Sequence, residues 1–80
     1  MLAQHRAAVA AAFTTWRTPL AEALTALGVP VGRSADLATL MISTLEGAIL
    51  MTRAERDVRP LTAVVRELGP LLDAAVTRPA

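Results

Sequence analysis

Between Ser34 and Leu61 the chain reads SADLATLMISTLEGAILMTRAERDVRPL: a broadly apolar helical pattern, a short charged turn, and the start of a second amphipathic pattern. On a helical wheel Asp36, Thr39, Ser43, Glu46 and Arg53 share one polar strip. Leu37, Leu40, Met41, Thr44, Leu45, Ala48, Ile49 and Met51 spread over the rest. That apolar sector is far wider than the ~100° stripe of a helix lying on a single core. Such a helix needs apolar neighbours on two sides. A chain of 80 residues has one modest core, since a domain of this size buries only roughly two-thirds of its unfolded surface. A second chain is the expected source of the other neighbour, so self-association is the first functional expectation.

Composition narrows the rest. There is no cysteine, which excludes disulfides and cysteine-based metal sites. The chain is 54% hydrophobic with one Phe, one Trp and no Tyr. Its apolar mass is Ala, Leu, Val, Ile and Met, a helix-forming set. All eight basic residues are Arg, spread from Arg6 to Arg78, and the net charge is +1. Phosphate neutralisation needs basic groups gathered on one face, so direct nucleic-acid binding by this chain is not expected. The run Ala7–Phe13 is short for a secretory core. The run Leu37–Leu45 carries Thr39, Ser43 and Thr44 and is followed by Glu46, whereas a spanning helix needs about 20 apolar residues. The expectation is a soluble, cytoplasmic protein with no membrane partner.

The spacing predicts a single helical domain over residues 1–80. A first helix covers Leu2–Leu27, with Val9, Phe13, Trp16, Leu20, Leu24 and Leu27 on one stripe. The stripe keeps its phase through Pro19, which favours one kinked helix over two. Gly28–Arg33 reads as a loop, with Ser34 as N-cap of a second helix over Ala35–Arg53. Arg53–Asp57 reads as a break, with Asp57 as N-cap of a third helix running to Val76 and Pro60 in its first turn. Leu61, Val64, Val65, Leu68, Leu72, Ala75 and Val76 form its apolar stripe, Pro70 lies near the opposite face, and Thr77–Ala80 reads as a frayed tail.

Catalytic chemistry finds no constellation. His5 has no acidic or hydroxyl partner at a meaningful helical spacing, and the acids form neither a carboxylate pair nor a ligand set. No metal and no cofactor is expected, and no enzyme activity. Glu46 is the one acid of interest, in mid-helix among apolar neighbours, where it can pair with an arginine, touch a ligand or simply be solvated. Phe13 and Trp16, one turn apart, read either as core or as the wall of a small-molecule pocket. Met41 and Met51 carry the same two readings. Glu22–Ile42 has the outline of a helix-turn-helix. The expected Gly28–Arg33 connection is longer than the usual turn of about 3–4 residues, and apolar Ala35, Leu37, Ala38 and Leu40 stand where base-reading side chains belong.

The order of these features carries a resemblance. Phe13 and Trp16 on a leucine-bearing helix, Gly28, then LATLMISTLEGAILMTRAERD (Leu37–Asp57) and RPLTAVVRELGPLL (Arg59–Leu72) resemble the C-terminal regulatory domain of TetR-family transcriptional repressors. The resemblance spans about Phe13–Ala75 and is a packing pattern rather than a chemical signature. It implies an all-α, three-helix chain whose last two helices form a four-helix bundle with the same pair of a second copy. It also implies a homodimer with a small apolar effector between the helices. Candidate pocket residues are Phe13, Trp16, Met41 and Leu45. Candidate interface residues are Leu37, Leu40, Met41, Thr44, Ala48, Met51, Leu61, Val64, Val65, Leu68 and Leu72. The family's N-terminal helix-turn-helix has no counterpart in these residues, so operator contact is not expected of them; a fragment, a truncated product and a trimmed dimerisation region all fit. The implied role is the dimerisation and partial effector-binding portion of a repressor. Two alternatives stand beside it: a stand-alone helical module that pairs with another repressor subunit, and a carrier of small apolar ligands.

Overall fold

A computed structural model of the protein describes residues 2–76; the tail expected at Thr77–Ala80 lies outside them. The fold is all-α: α1 (Leu2–Leu27), α2 (Val31–Glu55) and α3 (Arg59–Ala75). α1 is one continuous helix through Pro19, with the expected boundaries. Its end is set by Gly28, whose φ of 111° is the left-handed conformation that glycine adopts without a Cβ clash. The Gly28 amide donates to the Thr25 carbonyl at 3.1 Å and the Val29 amide to the Leu24 carbonyl at 3.0 Å. This is a Schellman turn, completed by the hydrophobic contact such turns favour: Leu24 and Val29 are both buried in the same cluster.

The second helix begins earlier than expected. Only Gly28–Pro30 separates it from α1, and Pro30, not Ser34, is its N-cap. Proline costs nothing at a helix start, where amides are unpaired anyway, and Gly32 falls in the same tolerant first turn. Ser34 lies inside the helix and is buried. Its hydroxyl meets Thr25 Oγ1 at 2.6 Å and the Pro30 carbonyl oxygen at 3.2 Å, so it joins α1 to α2 instead of capping. With a three-residue connection, length no longer argues against a helix-turn-helix. The apolar character of the α2 start still does, since Leu37 and Ala38 are buried.

The break after α2 is also tighter than expected. α2 runs to Glu55, and Arg56 closes it in the left-handed region (φ 54°, ψ 47°) with its amide on the Thr52 carbonyl. α3 follows at Arg59, with Val58 in the formal cap position. Asp57 nonetheless provides the capping bond: its Oδ1 accepts the Arg59 amide at 2.9 Å, and its Oδ2 accepts the Arg59 guanidinium at 2.7 Å. α3 continues through Pro70, which is exposed.

α2 lies between the other two helices, and among the described residues α1 and α3 do not pack along one another. The result is a layer of 51 × 32 × 13 Å, about one helix diameter thick. Its radius of gyration, 14.8 Å, exceeds the ~11.6 Å of a compact chain this long. One core cluster (Leu24, Val29, Leu37, Ala38 and Ala75) gathers where the end of α1, the start of α2 and the end of α3 meet. A helix with one neighbour buries one strip, and the α1 stripe shows it. Leu24 is buried and Leu20 packs on the cluster, but Val9, Trp16 and Leu27 are exposed.

By length and composition α2 is apolar enough to cross a bilayer, although the shorter run Leu37–Leu45 suggested no such segment. The same composition describes a helix covered by protein on several sides. A charge such as that of Glu46 near the helix centre costs about 3 kcal/mol on insertion scales.

Candidate assembly face and ligand groove

Two grooves flank α2, and they differ in chemistry. Between α2 and α3, a groove of about 280 Å³ is lined mainly by apolar side chains, Leu40, Ala63, Val64, Leu68 and Leu71, with Thr44 and Glu67 among them. On α2 and α3, Ala48 and Leu68 are buried, while Leu40, Leu50, Met51, Val65 and Leu71 are exposed. Leu40, Thr44, Gly47 and Met51 follow one another at spacings of four, three and four, a single strip along α2. A Cβ built on Gly47 would meet nothing within 4 Å, so the strip is open at its middle.

The candidate interface residues divide accordingly. Leu37, Ala48 and Leu68 are buried within the subunit, and Met41, Thr44, Leu61, Val64 and Leu72 are half-buried. Leu40, Met51 and Val65 face outward. Leu71 belongs with this outward set and was absent from the sequence candidates. Its signal was present, since it lies seven residues after Val64 and three after Leu68 on the same helix.

The exposed area has a scale. The chain presents 6091 Å², whereas a compact protein of 8.4 kDa presents about 4,600 Å². The surplus of roughly 1,500 Å² exceeds the ~800 Å² that one partner contributes to a standard interface. A domain normally packs two layers around its core, and this chain supplies one.

Between α1 and α2, a groove of about 350 Å³ is lined by Ala10, Phe13, Thr14, Arg17, Thr39, Ile42, Ser43 and Glu46. Its volume falls at the lower end of small-molecule sites. Phe13 forms part of its wall, and the ring of Trp16 meets Phe13 edge-on, with centroids 5.5 Å apart at 86°. Arg17 Nη1 donates to Thr39 Oγ1 at 3.3 Å across the seam. Of the four pocket candidates, Phe13 lines this groove and Trp16 packs on Phe13 without lining it. Met41 packs against the core cluster and Leu45 is half-buried on α2. Thr39, Ser43 and Glu46, on the polar strip of the α2 wheel, line this groove together with Arg17, for which the sequence reading had no role. No group of His, Asp and Glu side chains among the described residues is placed to hold a metal ion.

The all-α, three-helix architecture is the one the resemblance implied, and comparison with known proteins decides the family. The profile of the LmrA/YxaF-like transcriptional regulator C-terminal domain, a TetR-type domain, matches residues 3–67. The chain belongs to the TetR family. Two HTH-type transcriptional regulators of Mycobacterium tuberculosis, from strains H37Rv and CDC 1551, are each 47% identical to it over 66 residues. Each match covers 82% of this chain and 34% of the relative, so the chain spans about a third of the length of the curated relatives it matches. No solved structure matches it. This TetR-type domain thus aligns with regulators of transcription.

Proposed function

We propose that this TetR-family C-terminal domain is the dimerisation region, and part of the effector-binding region, of a cytoplasmic transcriptional repressor. The α2–α3 faces of two copies pack together as a four-helix bundle. The apolar groove lined by Leu40, Val64, Leu68 and Leu71 carries this reading. Its lining is mainly apolar, and among the described residues it lies on a layer one helix thick. The α1–α2 groove, with Phe13 on its wall, is the effector portion. Operator contact is not assigned to these helices.

Association of this kind couples folding to concentration. Over a hundredfold dilution the melting temperature is expected to fall with concentration, with dimer mass by light scattering at the upper end. Monomer mass throughout, with a flat melting temperature, overturns the assembly reading.

A further inference from the structure

The geometry points to a net-neutral ligand in the α1–α2 groove: an aromatic molecule with a hydrogen-bonding, uncharged head, rather than an organic anion, an organic cation or a purely apolar compound. This rests on the proposal that the groove is an effector site, and it names the ligand's chemical class.

The argument starts from opposed charges on opposed walls. Arg17 stands on α1 and Glu46 on α2, and both line the groove. Among the described residues the ion pair is Arg59–Asp57, so Arg17 and Glu46 face the same space without joining. A ligand anion is drawn by Arg17 and repelled by Glu46, and a ligand cation meets the reverse. The two contributions largely offset one another, and what remains is the desolvation penalty of the ion. A neutral head escapes that penalty and can use both walls, accepting from Arg17 and donating to Glu46.

The hydroxyls sharpen the choice. Thr14 donates its proton to the Ala10 carbonyl and Thr39 to the Ala35 carbonyl. Both oxygens can then act only as acceptors toward the groove, and Thr39 already receives Arg17. Glu46 and Thr14 accept, Arg17 keeps free N–H donors, and Ser43 can do either, so the groove offers both donors and acceptors. A primary amide, with two donors and one acceptor, fits this balance. Phe13 and Ile42 supply apolar surface for an aromatic body.

The test uses three probes that share one body and differ in the head: phenylpropanamide, phenylpropanoate and phenylpropylammonium. Trp16 is the only tryptophan and touches Phe13 edge-on, so its fluorescence reports occupancy in the intact chain. The amide is expected to bind about fivefold tighter than either ion, the scale of one partly screened charge contact. Glu46→Gln is expected to tighten the anion and Arg17→Gln the cation, each by a similar factor, with the gain shrinking in high salt. Equal affinities, or an ion binding tightest to the unsubstituted chain, overturn this inference and leave the groove as a ligand site. If no probe perturbs Trp16 at any soluble concentration, the effector reading of the groove fails and this inference with it.

Discussion

The two seams of α2 are built from different chemistry. The α1–α2 seam is tied by side-chain hydrogen bonds: Thr25 to the buried Ser34, and Arg17 to Thr39 at the groove. The α2–α3 seam has a groove lined mainly by apolar side chains, with Leu68 buried in it. Polar contacts fix how two helices sit, because an unpaired buried hydroxyl is costly. Apolar contacts are non-directional and scale with area, so they accept any surface that adds to the burial. One helix thereby carries a seam that holds the subunit in register and a seam that still has surface to give to a partner. α3 is also the most strongly two-sided of the three helices, with its apolar stripe turned toward that second seam.

Substitutions separate the two seams. The largest effect is expected where both end, in the shared core: Leu37→Ala should cost about 2–5 kcal/mol, read by urea unfolding at fixed protein concentration. Leu71→Arg tests the dry seam alone. Leu71 is 54% exposed in the single chain, so helix content should be unchanged, while association weakens about a hundredfold or more because the charge would be buried unpaired. Sedimentation equilibrium reads that outcome, and unchanged association would remove this groove from the interface. Ser34→Ala tests the polar seam. It is expected to lower stability by about 1–2 kcal/mol and to leave subunit affinity within twofold, as dilution calorimetry would show. Arg56→Gly touches neither seam. It relieves the left-handed conformation of a non-glycine residue and should stabilise the chain by about 0.5 kcal/mol, measured as a higher urea midpoint.

Much of this was legible in the sequence, and the misses share a cause. The α1 boundaries followed from periodicity and from Gly28, because a local backbone requirement set them. The start of α2 did not: Pro30–Arg33 has loop-like composition, and Ser34 has the chemistry of a cap. What places Ser34 inside the helix is its bond to Thr25, nine residues away, which no local pattern reveals. The width of the α2 apolar sector was visible on a wheel. The split between Leu37 and Ala48, buried inside the subunit, and Leu40 and Met51, turned outward, depends on where α1 and α3 settle. Glu46 drew attention as an acid among apolar neighbours, yet its place opposite Arg17 required knowing which face of α1 meets α2. Leu71 lies beside the Leu61–Val76 stripe of α3, and only the position of α2 shows that it lines the groove.

The absence of cysteine gives the most direct measurement of the dry face as a self-pairing surface. Single cysteines at Leu40, Gly47 and Met51 sample the open strip of α2, and one at Ala11 samples exposed α1. A disulfide needs Cα atoms within about 7 Å, so only positions near the two-fold axis of a dimer link to their own copies. If α2–α3 is the dimer face, at least one strip position gives a disulfide-linked dimer under mild oxidation while Ala11→Cys stays monomeric on a denaturing gel. Failure of all three strip positions to link, or linkage through Ala11→Cys at an equal rate, contradicts it.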